Sequence, residues 1–296
     1  MRSKNYSEYR ERWNNNPKDY KVDDFPLHID IETITTCNLK CKMCYQSFDT
    51  PKYGKMDLDT FNKIILEIKD MGLDSVKLQY RNEPLTDIRL PLFVEACKKC
   101  DVLETSINTN GLLLDEKKSI SLIRSGLDKI SFSLDGCDKK TYESIRIGSD
   151  YDKVIDNICR FVDIRDSMNS NTPSIDIKTI NMESIDIEEY VEKWKNIVDT
   201  VSVAKLANLQ KEEDWNEYPN FSCPDLWRRL TVIYNGDVVP CCCGTRGNTV
   251  YNVLGNTNKQ TIESIWNGEN LNNIRELHKE GKSHTIHMCR MCEAFR

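Results

Sequence analysis

The sequence predicts an α/β fold of repeated strand–helix units, followed by a small cysteine-rich module. Three observations carry that expectation. Extended-looking runs alternate with amphipathic helical runs from residue 27 to about residue 206, giving six candidate strands. Asn235-Gly236, flanked by residues 231–234 and 237–239, then reads as a β-hairpin with a type I′ turn. Cysteines stand at short, metal-like spacings at both ends of this pattern: Cys37, Cys41 and Cys44 early, Cys289-Arg290-Met291-Cys292 late.

The composition sets outer bounds. A chain of 296 residues buries roughly three quarters of its unfolded surface, enough for one large domain and an appendage. With 39% hydrophobic and 30% charged residues it is ordinary for a water-soluble protein. No apolar run approaches the roughly 18 residues of a membrane span, and residues 1–26 hold no signal-peptide pattern. Thirteen cysteines without an export signal point to a reducing, cytoplasmic setting and to metal rather than disulfides. A formal net charge of −6 disfavours nucleic acid as a partner, because phosphate binding leans on a positive surface.

In chain order, residues 1–26 form a charged, aromatic leader. Tyr6, Tyr9 and Trp13 fall at i, i+3 and i+7, the pattern of a short amphipathic cap helix on the outside of the main domain. The leader is too short for a separate peptide-recognition domain. Candidate strands follow at 28–34, 75–79, 103–108, 129–134, 174–180 and 201–205. Between them, Phe61, Ile64, Ile65 and Ile68 share one helix face, and Tyr190, Val191, Trp194 and Ile197 share another. Six βα units imply parallel strands joined by right-handed crossovers.

The richest stretch is Thr35-Thr36-Cys37-Asn38-Leu39-Lys40-Cys41-Lys42-Met43-Cys44-Tyr45, directly after the first strand. Three thiolates at C-x3-C-x2-C can hold three irons of a [4Fe–4S] cluster and leave the fourth without a protein ligand; a zinc knuckle or a set of buried thiols is the alternative. A zinc knuckle normally wants four ligands, and no fourth lies nearby. This triplet resembles that of the radical S-adenosylmethionine (radical SAM) superfamily, with Met43 in the place before the last cysteine. The resemblance implies a partial (β/α)6 TIM-like barrel with this loop after its first strand. It also implies that the open iron chelates SAM and that its cleavage yields a 5′-deoxyadenosyl radical, which removes hydrogen from a C–H bond. A reductant such as flavodoxin or ferredoxin is the implied electron source.

Further motifs sit at strand ends, where a barrel's chemistry gathers. Gln79-Tyr80-Arg81-Asn82-Glu83-Pro84-Leu85 is similar to the family's G-G-E-P segment, with Glu83 toward the SAM ammonium group. Arg81 and Asn82 replace both glycines. Thr109-Asn110-Gly111 resembles the T-N-G turn, which puts Asn110 near SAM. Ser133-Leu134-Asp135-Gly136 resembles S-x-D-G, which puts Ser133 near the SAM ribose, and alternation sets Ser131, Ser133 and Asp135 on one face. Arg146, in Tyr142-Glu143-Ser144-Ile145-Arg146, matches an arginine that pairs with the SAM carboxylate or forms a surface ion pair. Cys97 and Cys100 read as buried thiols, Cys137 and Cys159 as packing residues, and His284 and His287 carry no ligand spacing.

The module that starts near Ser222 has a C-x12-G-x4-C spacing from Cys223 through Gly236 to Cys241, then a helix opening at residues 262–266 and the closing C-x2-C. It resembles the SPASM/twitch extension of radical SAM enzymes. In the single-cluster twitch form, Cys223, Cys241, Cys289 and Cys292 ligate one auxiliary [4Fe–4S] cluster; a zinc ribbon is the competing assignment. The domains are then 1–26 leader, 27–210 barrel and 211–296 auxiliary module. Cys241-Cys242-Cys243 offers more thiols than one cluster corner needs. If that segment is extended, Cys241 and Cys243 face the cluster and Cys242 faces the barrel mouth. The resemblance then implies an epimerase acting on a carbohydrate or aminocyclitol, with Cys242 as hydrogen donor. Dehydrogenation of an alcohol using the auxiliary cluster, and maturation of a peptide, are the other two classes. A metal-stapled binding scaffold would have no reason to leave an iron open.

Overall fold

A computed structural model describes residues 5–47, 49, 52–206, 221–246, 248–290 and 292. The expected domain boundary at residue 210 lies outside these residues. The strands are β1 (His28–Ile31), β2 (Ser75–Lys77), β3 (Glu104–Thr109), β4 (Lys129–Ser133), β5 (Ser174–Asn181), β6 (Thr200–Lys205), β7 (Arg229–Val232), β8 (Asp237–Val239) and β9 (Gly255–Asn256). They form one nine-stranded sheet in the order β9-β8-β7-β1-β2-β3-β4-β5-β6. Neighbours from β7 through β1 to β6 are parallel, and β8 and β9 add an antiparallel edge. The parallel run of β1 to β6 with its helices is the partial barrel that the sequence predicted. The auxiliary module joins the same sheet, since β7 pairs with β1 from His28↔Arg229 to Ile31↔Val232.

Alternation along each strand divides the sheet chemically. Ile29, Ile31, Val76, Leu78, Ile107, Ile130, Phe132, Ile175 and Ile177 are buried in the apolar core. Helix α2 (Leu58–Met71) contributes Phe61, Ile64 and Ile68, and α3 (Leu90–Lys99) contributes Phe93, whose ring centroid lies 4.1 Å from that of Phe61. Asp57 caps α2 and Gly72 ends it in the left-handed region. The predicted face of the helix Ile187–Trp194 is only partly right. Tyr190 and Trp194 are buried, but the helix stops at Trp194 and Ile197 is 39% exposed. The other face of the strands is polar: His28, Asp30, Glu32, Lys77, Ser131 and Asp176 all lie on it, five of them buried and Lys77 half-buried.

Helix α1 (Tyr6–Asn15) closes the N-terminal end of the strands. Tyr9 Oη lies 2.9 Å from Ser75 Oγ, His28 Nδ1 lies 2.7 Å from the same hydroxyl, and the Trp13 ring meets that of His28 edge-on at 5.8 Å. The predicted hairpin forms as β7–β8, but not through a type I′ turn. The loop has three residues, 234–236, closed by Gly236 N–H to Ile233 C=O at 2.8 Å and Ile233 N–H to Asp237 C=O at 2.9 Å. Only Gly236 of the loop takes a left-handed φ, +86°, where type I′ needs two such residues. Asn235 instead spends its side chain on Asp237, accepting its N–H at 3.1 Å.

Candidate functional site

The loop after β1 carries Cys37, Cys41 and Cys44 at the C-terminal ends of the strands. Short pairing of Lys40–Cys41 with Arg146–Ile147 and a bond from Lys42 N–H to Ile145 C=O anchor it to the chain beyond β4. Cys41 is buried and the other two are half-buried. Burial pushes all three thiols up, Cys37 to about 12, with the neighbouring thiols adding to its rise. Groups that favour thiolate surround them: Leu39 N–H points at Cys37 Sγ from 3.5 Å, and Arg146 Nη1 at Cys41 Sγ from 3.8 Å. An all-sulfur donor set, one thiol buried and two half-buried, beside a fixed cation has the donor chemistry of an iron–sulfur cluster.

Arg146 is not the surface ion pair that the sequence left open. It is buried, with Nε 2.8 Å and Nη2 2.6 Å from Asp135 Oδ2. Asp135 Oδ1 in turn accepts Ile180 N–H at 2.9 Å, so the S-x-D-G carboxylate braces the arginine beside the cysteine loop.

Glu83 is buried and accepts from Thr109 Oγ1 at 2.6 Å, Asn110 N–H at 2.8 Å and Leu85 N–H at 3.1 Å. Burial raises its carboxyl to about 7, while these three bonds pull it down. It therefore clasps the loop after β2 to the end of β3. Asn110 Nδ2 continues the chain of contacts to Asn38 Oδ1 at 2.9 Å, inside the cysteine loop. Gly111 has φ +75°, and a Cβ there would meet the Phe132 ring at 3.2 Å, which explains glycine in that turn. Ser133 is half-buried on β4, opposite Lys178 of β5.

Several members of the site were not legible in the sequence. Arg81 forms a bidentate pair with Glu32, Nε–Oε1 2.7 Å and Nη2–Oε2 2.6 Å, and both are buried. Its carbonyl accepts from Tyr45 Oη at 3.2 Å and from Gln46 Nε2, both just past Cys44. Asp30, wholly buried, meets Lys77 Nζ at 3.0 Å, Arg229 and His28 Nε2 at 3.2 Å. The signal for these was the acidic alternation Asp30, Glu32 along β1, which an apolar-run reading of that strand passes over.

In the auxiliary module the chain after β8 turns instead of running extended, because Gly244 N–H bonds to Cys241 C=O at 3.0 Å. The alternation argument for Cys241 to Cys243 therefore fails. Cys243 Sγ stands 3.5 Å from Cys292 Sγ, and Cys241 and Cys243 interact directly. Cys242 Sγ, 3.9 Å from Cys243 Sγ, has Arg229, Asp225 and Lys77 as its charged neighbours. Tyr80 Oη, reaching from beyond β2, donates to Cys242 C=O at 2.9 Å. Cys223 N–H donates to His278 Nδ1 at 3.0 Å, and His278 Nε2 lies 3.3 Å from Cys289 Sγ. His278 belongs to no spacing motif, so only its place on the helix Glu269–Lys279 reveals it.

Residues 31–173 match the family model described as the Radical SAM superfamily, and residues 223–293 match SPASM, an iron-sulfur cluster-binding domain. The probable GTP 3′,8-cyclase of Methanococcus maripaludis is 33% identical over 129 residues, 43% of each chain. The GTP 3′,8-cyclase of Chlorobaculum tepidum is 26% identical over 213 residues, 70% of this chain and 62% of that one. The matched part thus spans less than two thirds of these relatives. Among solved structures, BtrN in complex with AdoMet and 2-DOIA superposes with a TM-score of 0.61 at 19% identity, covering 93% of this chain and 95% of that one. Streptococcus suis SuiB bound to precursor peptide SuiA gives 0.70 at 19% identity, covering 97% and 75%. At such identities the likeness is one of fold.

Proposed function

We propose that this chain, a radical SAM enzyme with a SPASM domain and hence with S-adenosylmethionine and [4Fe–4S] clusters as cofactors, epimerises a carbon of a carbohydrate or aminocyclitol. In this reading Cys37, Cys41 and Cys44 hold the SAM-binding cluster, and Cys223, Cys241, Cys289 and Cys292 the auxiliary one. When bound, cluster and SAM supply a 5′-deoxyadenosyl radical. Glu83, Asn110, Ser133 and Arg146 line the SAM side of the barrel mouth. The polar inner face suits a substrate rich in hydroxyl or ammonium groups, since each such group needs a partner when it leaves water.

The observation that carries the reading is the place of Cys242 in the turn after β8, where Tyr80 Oη, from beyond β2, bonds to its carbonyl at 2.9 Å. Cys243 Sγ meets both Cys292 Sγ and Cys242 Sγ, and Cys242 in addition feels the positive charges of Arg229 and Lys77 from the polar face. A carbon radical formed there takes the Cys242 hydrogen atom: a C–H bond forms, the S–H bond breaks, and a thiyl radical remains. One proton and one electron from a flavodoxin- or ferredoxin-type reductant restore the thiol.

Dehydrogenation is the second reading, supported by the closeness of Cys242 to Cys243 and of Cys243 to Cys292, which sets an electron acceptor beside the substrate. Anaerobic turnover with SAM and candidate aminocyclitols, sugars or peptides in D2O separates them. Epimerisation adds one deuterium, and Cys242→Ala still forms 5′-deoxyadenosine without inverted product. A product lighter by two hydrogens overturns the epimerase reading, as does a Cys242→Ala variant that turns over like wild type.

A further inference from the structure

The two positions where this chain departs from the glycine pair of its SAM motif lie beside Tyr80, whose hydroxyl crosses to the auxiliary module. A phenol has one hydrogen to give. Tyr80 Oη donates it to Cys242 C=O at 2.9 Å, so Thr245 Oγ1, 2.8 Å away, donates to Tyr80 Oη. The tyrosine is itself held on every side. Its N–H donates to Asn82 Oδ1 at 3.1 Å, its carbonyl accepts from Gln79 Nε2 at 2.5 Å, and the Arg81 guanidinium lies 5.6 Å from its ring centroid. Arg81 is locked to Glu32 at the end of β1, and its carbonyl receives Tyr45 and Gln46 from the arm of the cysteine loop past Cys44.

We infer that Tyr80-Arg81 is a strut between the two cysteine sites, and that Tyr80 is the positioning residue that aims Cys242, rather than Cys243, at the substrate radical. This rests on the epimerase reading above. Arg81 fixes one end against the loop that holds SAM. Tyr80 fixes the other against the backbone of the donor. The strut thereby sets the spacing between the place where hydrogen is removed and the thiol that returns it. A turn of three cysteines would otherwise present either Cys242 or Cys243 as it rotates. Neither side chain that binds the strut together could be glycine, which gives the departure from the family motif a use in this chain.

Tyr80→Phe keeps the ring and its arginine while removing the one hydroxyl. Both clusters are expected to load, with 5′-deoxyadenosine formation within about twofold of wild type. Inverted product per 5′-deoxyadenosine should fall about ten- to a hundredfold, the scale of a misplacement near 1 Å. Thr245→Val cuts only the second contact of the hydroxyl and should keep the wild-type ratio. In the metal-free full-length protein, hydrogen exchange of the amides of residues 241–245 should speed up several-fold in Tyr80→Phe and not in Thr245→Val. An unchanged product ratio in Tyr80→Phe, or loss of auxiliary iron from it, overturns the inference. If wild type forms no epimer, the reading beneath it fails; the exchange rates still decide whether the strut holds the segment.

Discussion

His278 Nε2 stands 3.3 Å from Cys289 Sγ, and the far side of the same ring accepts Cys223 N–H at 3.0 Å. Because Nδ1 is an acceptor, the neutral ring carries its hydrogen on Nε2 and offers it to the sulfur. The imidazole thus ties together two cysteines 66 positions apart in the chain. Hydrogen bonds to ligand sulfurs stabilise the reduced, more negative cluster. His278→Phe should therefore lower the midpoint potential of the auxiliary cluster while its iron is retained. Redox titration followed by electron paramagnetic resonance reads this directly, and an unmoved potential would show that the N–H does not reach the sulfur.

Metal content follows from the two cysteine groups. Anaerobically reconstituted protein should hold about eight irons, as two four-iron clusters. Changing Cys37, Cys41 and Cys44 together to alanine should leave about four irons and no SAM cleavage. Zinc at the C-terminal site, or SAM cleavage by the triple variant, contradicts the assignment.

Glu83 yields a prediction with a definite sign. Its carboxyl is raised by burial from the ordinary 4.5 to about 7, so the folded protein binds this proton more tightly than the unfolded chain. The contribution is fully present below about pH 4.5 and is lost as pH rises through about 7. Denaturant titrations of metal-free protein should show wild type losing stability between pH 5 and 8 relative to Glu83→Gln. Parallel curves would mean that the three donors, not burial, dominate the site. With clusters loaded, Glu83→Gln should also bind SAM more weakly, by roughly 1.5–3 kcal/mol for a charge-assisted bond. The amide nitrogen must additionally face Thr109 or Asn110, both of which donate.

The Glu32–Arg81 pair predicts a stability effect independent of the metals. Removing one partner leaves the other charge buried, at a cost of about 3–5 kcal/mol. Arg81→Ala should lower the thermal midpoint of metal-free protein markedly, and Glu32→Leu/Arg81→Leu should recover most of the loss. A single variant as stable as wild type would show water reaching Glu32.

What could be read without a structure was periodic or local. The order of strands and helices, the apolar face of α2 and the thiol groupings all rest on spacings of a few residues, and such spacings survive in one dimension. No helix among the described residues is long and apolar enough to cross a membrane. The glycine replacements at Arg81 and Asn82 were visible as an anomaly, though not their purpose.

The tertiary structure decided everything that depends on residues far apart. Glu32 and Arg81, His278 and Cys223, and Tyr80 and Cys242 meet across 49, 55 and 162 positions, as partners that no local pattern encodes. It also replaced the expected type I′ turn with a three-residue loop, and the extended Cys241–Cys243 segment with a turn. There the choice between near-equal backbone forms fell to single bonds, Gly236 N–H to Ile233 and Gly244 N–H to Cys241. The sequence by itself determined how the cysteines are grouped along the chain, because residue type and spacing are properties of the chain. Which thiol faces which neighbour was left to packing, because direction in space is a property only of the fold.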